Sequence, residues 1–112
     1  MTTEPEFLSA TTIIQDRVRN PEGQHLGNIE ELMIDLEDGR VAYAVLKLEQ
    51  KLFAIPWPML RLDADEECFV LNVSRELLEE APGMDEEDWP AHRPSHKWLA
   101  EVYAHYGYDL YW

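Results

Sequence analysis

An Asp38-Gly39 pair separates two segments in which apolar and polar residues alternate. Ile34-Asp35-Leu36 leads into the pair, and residues 40–49 follow it. Alternation with a period of two places successive side chains on opposite faces of a strand. Asp-Gly supplies the two residues that most readily accept a positive φ in a short hairpin turn. The sequence therefore predicts a β-hairpin at this point, and it favours a chain built from antiparallel strands.

The return strand of this hairpin is apolar on both faces. One face carries Val41, Tyr43 and Val45, and the other carries Ala42, Ala44, Leu46 and Leu48. A strand that is buried on both sides lies in a covered sheet, or in a barrel with another element packed outside it. We therefore expect a second element of the chain to cover the face with the two alanines and two leucines.

Glycine and proline residues mark the ends of the other predicted strands. Asn20-Pro21-Glu22-Gly23 combines a fixed proline φ with a permissive glycine and predicts a tight turn. Gly27 stands alone inside a predicted strand, which is typical of a bulge or a close approach of two backbones. Ile55-Pro56-Trp57-Pro58 predicts a corner, because proline cannot donate a ladder hydrogen bond. Together these segments predict about six short strands, which suits a small β-barrel.

Two helices are predicted after the last strand. Ser74 caps a short helix, and Ser95 caps a longer one that spans residues 96–106 and ends at Gly107. The polar segment 84–94 between the two helices predicts a loop. The expected fold is therefore mainly β, a small barrel of about six strands with a short helix and a C-terminal helical extension.

The chain is strongly acidic, with 23 carboxylates against nine Lys and Arg residues and a formal net charge of −14. The electric field of this negative charge repels nucleic-acid phosphates and anionic lipid, so neither is an expected partner. Acidity favours solubility by itself, and it also suits a basic protein partner. The single cysteine, Cys68, cannot form an internal disulfide, and no run of eighteen apolar residues occurs. We therefore expect a cytoplasmic protein without a membrane-spanning segment.

The order of these landmarks resembles the PRC-barrel family, which takes its name from the photosynthetic reaction centre H chain. The landmarks are Arg17-Val18, Asn20-Pro21-Glu22-Gly23, 26–35, 38–45, Ala54-Ile55-Pro56-Trp57, 69–74 and Ala81-Pro82-Gly83. The resemblance spans a PRC-barrel domain at residues 7–83 and leaves 84–112 as an acidic loop with an aromatic-rich helix and tail. It implies a free-standing member of a family that shares protein interaction and has no common catalytic residues.

The residues that suggest chemistry are carboxylates and histidines. The acidic segments 63–67 and 85–88 are expected to be exposed to solvent. The second also lacks the ligand spacing and the glycine of a calcium-binding loop. His92 and His96 are four residues apart, but a proline between them prevents a continuous helical face. We therefore expect no catalytic residue, no metal site and no cofactor. The alternative is a metal-dependent or ligand-binding enzyme that uses surface carboxylates and His92 or His96.

The segment from Trp89 to Trp112 holds seven of the twelve aromatic residues. One interpretation is that these side chains form the outer cover of the return strand and bury apolar area worth about 25 cal/mol per Å². The other is that they dock on a second subunit or another protein, because aromatic side chains are common interface anchors. The candidate partner or dimer surface comprises Trp98, Tyr103, Tyr106, Tyr108, Tyr111 and Trp112. The sequence thus predicts a non-enzymatic protein-interaction or scaffolding module, with a homodimer among its expected assemblies.

Overall fold

A single seven-stranded sheet dominates the computed structural model of the chain, which describes residues 5–81 and 83–112. The strands are β1 (Arg17–Arg19), β2 (His25–Asp35), β3 (Arg40–Leu48), β4 (Lys51–Pro56), β5 (Leu60–Asp63), β6 (Cys68–Leu71) and β7 (Gly83–Asp85). The α-helices are α1 (Ala10–Ile13), α2 (Arg75–Glu80) and α3 (His96–Tyr106), and short 3₁₀ helices span Trp57–Met59 and Glu86–Ala91. Residues 1–4 and the proline of the Ala81-Pro82-Gly83 landmark lie outside the described residues.

The sheet runs in the order β5-β6-β1-β2-β3-β4-β7, with antiparallel neighbours except for the parallel pair β1 and β6. One apolar cluster draws side chains from β1 to β6, from α1 and from α2, so the sheet wraps around a shared interior. The outermost strands β5 and β7 do not pair with each other in the part of the chain that the structure describes. The predicted mainly β, barrel-like fold is confirmed, as an open sheet.

The strand count is seven because β7 lies at the start of a segment that the sequence predicts as a loop. Gly83–Asp85 pairs with β4 through the partners Lys51 to Phe53. Three residues are too short to show the alternation that identifies a strand in a sequence. The rest of the predicted loop forms a 3₁₀ helix and an irregular stretch that leads to α3.

The predicted hairpin is present, with β2 and β3 joined by four turn residues, 36–39. The Gly39 N–H donates to the Asp35 carbonyl oxygen at 2.8 Å, and Gly39 has a φ of +68°. Asp38 does not have a positive φ, so the prediction that both Asp38 and Gly39 adopt that conformation is wrong. The longer turn ends β2 at Asp35 and leaves Leu36 outside the ladder.

Both faces of β3 are covered, as the sequence predicts. Ala44, Leu46 and Leu48 point into the barrel interior, while Tyr43 and Val45 meet the outer cover. The prediction that Ala44, Leu46 and Leu48 need the outer cover is therefore wrong. A period of two assigns residues to two faces of a strand, but it does not show which face points inward. Ala42 joins the outer face because the β2–β3 register shifts beside it.

The outer cover is α3 together with the C-terminal tail. Ser95 caps α3 by accepting a hydrogen bond from the Trp98 backbone N–H, and Gly107 ends the helix with a φ of +73°. Buried side chains of α3 pack on the outer face of β3 and β4. The predicted C-terminal helix is thus confirmed, and it packs on its own sheet. No helix in the ranges 5–81 and 83–112 has the length and apolar character needed to cross a lipid bilayer.

Candidate functional site

The Asp35 carboxylate connects three distant parts of the chain. Its side chain is 4% exposed, at the end of β2. One oxygen, Oδ1, accepts backbone N–H bonds from Glu37 at 3.0 Å and Asp38 at 3.3 Å. The other, Oδ2, accepts a hydrogen bond from the Tyr111 hydroxyl, with the two oxygens 2.6 Å apart, and lies 2.8 Å from His96 Nε2. The hairpin turn, the start of α3 and the C-terminal tail therefore meet at one side chain.

These hydrogen bonds hold Asp35 in its ionised form. The Tyr111 hydroxyl, followed by His96 and the two backbone N–H groups, holds the pKa of Asp35 well below its usual range against the opposing effect of burial. The hydrogen bond to Asp35 raises the pKa of His96 above its usual value. Burial, followed by the hydrogen bond to Asp35, raises the pKa of Tyr111. The carboxylate is thus charged, and Tyr111 keeps its proton as a donor.

A groove of about 260 Å³ opens beside this carboxylate, and we call it the Asp35 groove. Apolar side chains line most of it, including Met33, Tyr43 and Leu99. Its polar lining residues are Asp35, Glu37, Ser95, His96 and Tyr111. A mostly apolar cleft with a few placed polar groups is the usual form of a binding site.

The rim of the Asp35 groove exposes three large apolar side chains. Leu36 is 91% exposed and Ile34 is 52% exposed, and both line the groove. Trp112 is 47% exposed, and its ring packs edge-on against His96 with centroids 4.9 Å apart. We refer to Ile34, Leu36 and Trp112 as the apolar rim. Sequence reasoning missed Ile34 and Leu36, because it placed both in a strand and gave no sign that they face solvent.

The six aromatic residues of the predicted partner surface separate into two groups. Tyr103 is 1% exposed, and its hydroxyl donates a hydrogen bond to the Ala42 carbonyl oxygen, with the two oxygens 2.7 Å apart. The partly buried members of the set are Trp98, Tyr106 and Tyr111. Tyr108 and Trp112 are exposed. The buried and partly buried members pack on the sheet of their own chain. The two exposed members, Tyr108 and Trp112, are left accessible to a partner.

Tyr108 lies in a different region of the surface from the apolar rim. It borders a depression of about 650 Å³ whose lining includes Arg19, Arg61, Asp63 and Asp65. Within that lining, Arg19 and Asp63 form an ion pair at 2.7 Å. Charged side chains that pair with one another favour a solvated surface, so this depression has a weaker claim as a binding site than the Asp35 groove.

The structure brings His96 to carboxylates and keeps His92 apart from that group. Asp35, Glu37 and His96 each offer one ligand atom, and these atoms lie within 4.8 Å of one another. The His92 ring instead lies between Trp89 and Trp98, with ring centroids 5.3 Å and 4.5 Å away. Burial lowers the pKa of His92, which suits a neutral packed ring. The sequence had singled out His96 without its two carboxylate neighbours.

The other residues considered for chemistry lie where the sequence predicts, except Asp63, which ends β5 and pairs with Arg19 instead of lying in the exposed turn. Cys68 is buried as a free thiol in β6. Asp65, Glu66 and Glu67 are exposed in the turn between β5 and β6. The acidic segment 85–88 is exposed as well, and Glu86 forms an ion pair with Lys47. None of these groups is among the residues that line the Asp35 groove.

Comparison with known proteins supports the family resemblance. The family model described as the PRC-barrel domain matches residues 5–78. No curated protein matches the chain. The matched segment includes the hairpin with Asp35 and Leu36, whereas His96, Tyr111 and Trp112 lie beyond it. The Asp35 groove therefore forms between the family domain and the C-terminal extension.

Proposed function

Because this chain belongs to the PRC-barrel domain family, we propose that it is a non-enzymatic module that binds another protein. Protein interaction is the theme that the resemblance to this family implies. The proposed binding surface is the Asp35 groove with its apolar rim. The proposed compartment is the cytoplasm, since the one cysteine, Cys68, is a free thiol.

The observation that carries the proposal is the exposure of Leu36 and Ile34 beside the groove. Fully burying a side chain of this kind stabilises a complex by about 1.5–3 kcal/mol relative to leaving it in water. Trp112 extends the same surface with an aromatic ring, the residue type most enriched among interface anchors. Contiguous exposed apolar surface beside a cleft is typical of protein-binding sites.

The charge of the chain indicates the kind of partner. A formal net charge of −14 attracts basic proteins over long range and repels acidic ones. Close to the groove, Arg40 forms an ion pair with Asp38. Glu37, which lines the groove, forms no ion pair within the described residues and is available to a basic side chain. We therefore propose a basic partner that inserts an apolar side chain into the groove.

Capture of the partner from cell extract, followed by crosslinking and mass spectrometry, tests this proposal with a matched pair of variants. Leu36→Ser removes the most exposed side chain of the apolar rim. Leu77→Ser is the control, because Leu77 is also exposed but lies on α2. We expect a basic protein that is captured by the wild type and by Leu77→Ser, and that is lost with Leu36→Ser.

Salt provides a second condition for the same experiment. Binding of a basic protein to an acidic surface weakens as salt rises, because salt screens the attraction between them. Capture that is equal for the two leucine variants, or that strengthens with salt, would contradict the proposed surface and partner.

A second copy of the chain is the other candidate partner. The edge strands β5 and β7 leave backbone groups free on one side within the described residues, and open edges favour pairing with another chain. Two chains of charge −14 repel each other at low salt, so self-association strengthens as salt rises. Light scattering at low and high salt distinguishes the two candidates, because a dimer mass that grows with salt indicates self-association.

A further inference from the structure

The Asp35 carboxylate is held in place in the way that metal-binding carboxylates are held. Backbone N–H groups of Glu37 and Asp38 fix Oδ1, and the Tyr111 hydroxyl fixes Oδ2. Hydrogen bonds of this kind orient a ligating group and keep it deprotonated. A carboxylate oxygen has two lone pairs, so Oδ2 can keep the Tyr111 bond while its other lone pair faces His96.

His96 and Glu37 supply the two other ligand atoms from different elements. His96 is the first residue of α3, and its Nε2 lies 2.8 Å from Asp35 Oδ2. Glu37 lies in the hairpin turn, and its carboxylate makes no ion pair in the described ranges. Both side chains line the Asp35 groove, and both are exposed to solvent, whereas the Asp35 side chain is 4% exposed.

We propose that Asp35, Glu37 and His96 form a binding site for a divalent transition-metal ion, with Zn²⁺ as the best match. One imidazole nitrogen and two carboxylate oxygens are ligands that zinc accepts, and water completes a four-coordinate shell. Calcium and magnesium prefer shells made of oxygen alone, so they fit this donor set less well. The ion replaces the hydrogen bond between His96 and Asp35 and leaves the bond from Tyr111 in place. The inference does not rest on the proposed protein-binding role, and a bound ion would take the Glu37 carboxylate that this role offers to a basic side chain.

Isothermal titration calorimetry, with ZnCl₂ titrated into the full chain, tests the site. We expect one ion per chain. Glu37→Gln and His96→Gln are each expected to weaken binding about tenfold or more, because each removes one ligand. Glu37 is exposed, and among the described residues its side chain makes no hydrogen bond, so its replacement leaves the fold intact.

Matched controls separate this site from adventitious binding. Glu31→Gln changes an exposed carboxylate of β2 that is outside the site, and His105→Gln changes another exposed histidine of α3. Both are expected to bind Zn²⁺ as the wild type does. Visible absorption of bound Co²⁺ provides a second measurement, which should be reduced in Glu37→Gln and unchanged in Glu31→Gln. Wild-type affinity in Glu37→Gln, or an equal loss in His105→Gln, would overturn the assignment.

Discussion

Replacement of Gly27 by alanine tests a close approach of two backbones in the sheet. Gly27 lies in β2 with a φ of +122°, a conformation that other residues rarely adopt. A Cβ atom at this position would lie 2.2 Å from the carbonyl oxygen of Lys47 and 2.9 Å from its carbonyl carbon. Both are backbone atoms of β3, so no side-chain rotation relieves the clash. The variant must either shift β3 or break its pairing with β2.

The expected loss of stability has two parts. A residue other than glycine held at an unfavourable φ costs about 1–3 kcal/mol. Forcing an extra carbon into a filled space costs about 1–3 kcal/mol more. The sum, about 2–6 kcal/mol, is a large share of the roughly 5–15 kcal/mol that holds a typical domain folded. Gly27→Ala is therefore expected to be severely destabilised or to fail to fold.

Urea unfolding followed by tryptophan fluorescence measures this loss, and Gly23→Ala is the control. Gly23 also has a positive φ, +89°, but a Cβ there would meet nothing within 4 Å. The control therefore carries the cost of the backbone conformation without the clash. We expect Gly27→Ala to lose at least about 1 kcal/mol more than Gly23→Ala. Equal losses in the two variants would refute the close approach of Gly27 to Lys47.

Two further predictions concern the outer cover and the segment that leads into it. Tyr103→Phe leaves the buried Ala42 carbonyl oxygen without its donor, so thermal unfolding should show a loss of about 1–3 kcal/mol. Burial lowers the pKa of His92 from its usual 6.5, so the unfolded chain binds this proton more readily than the folded chain. The contribution of His92 to stability is complete above about pH 6.5 and falls as pH drops through the lowered pKa. His92→Phe should therefore lose less stability than the wild type between about pH 7 and pH 5 in urea unfolding.

Local rules predicted the elements whose signals lie within a few residues of one another. The hairpin at Gly39, the cap at Ser95 and the helix end at Gly107 each follow from the conformational range of one or two residues. The parallel pairing of β1 with β6 has no such signal, because the partners Val18 and Phe69 lie far apart in the sequence. Pairing of that kind depends on the whole sheet.

The candidate site was less predictable than the fold for the same reason. Asp35 reaches His96 across 61 residues and Tyr111 across 76, and nothing near Asp35 in the sequence indicates either contact. The sequence places Tyr103 on the candidate partner surface, whereas its burial in the structure depends on the sheet face that it meets. Leu36 was predicted within a strand, and its exposure follows from a turn two residues longer than the shortest hairpin.

The packing of the C-terminal extension on the sheet creates both the outer cover and one side of the Asp35 groove. Without α3 and the tail, Tyr43 and Val45 would face water, since their burial depends on Leu99 and Tyr103. When α3 packs there, its first turn comes to lie beside the hairpin, and the space left between them is the groove. The hairpin belongs to the segment that matches the family, and α3 lies beyond it. If partners bind in the groove, changes in the extension should therefore alter which partner binds while the barrel stays the same.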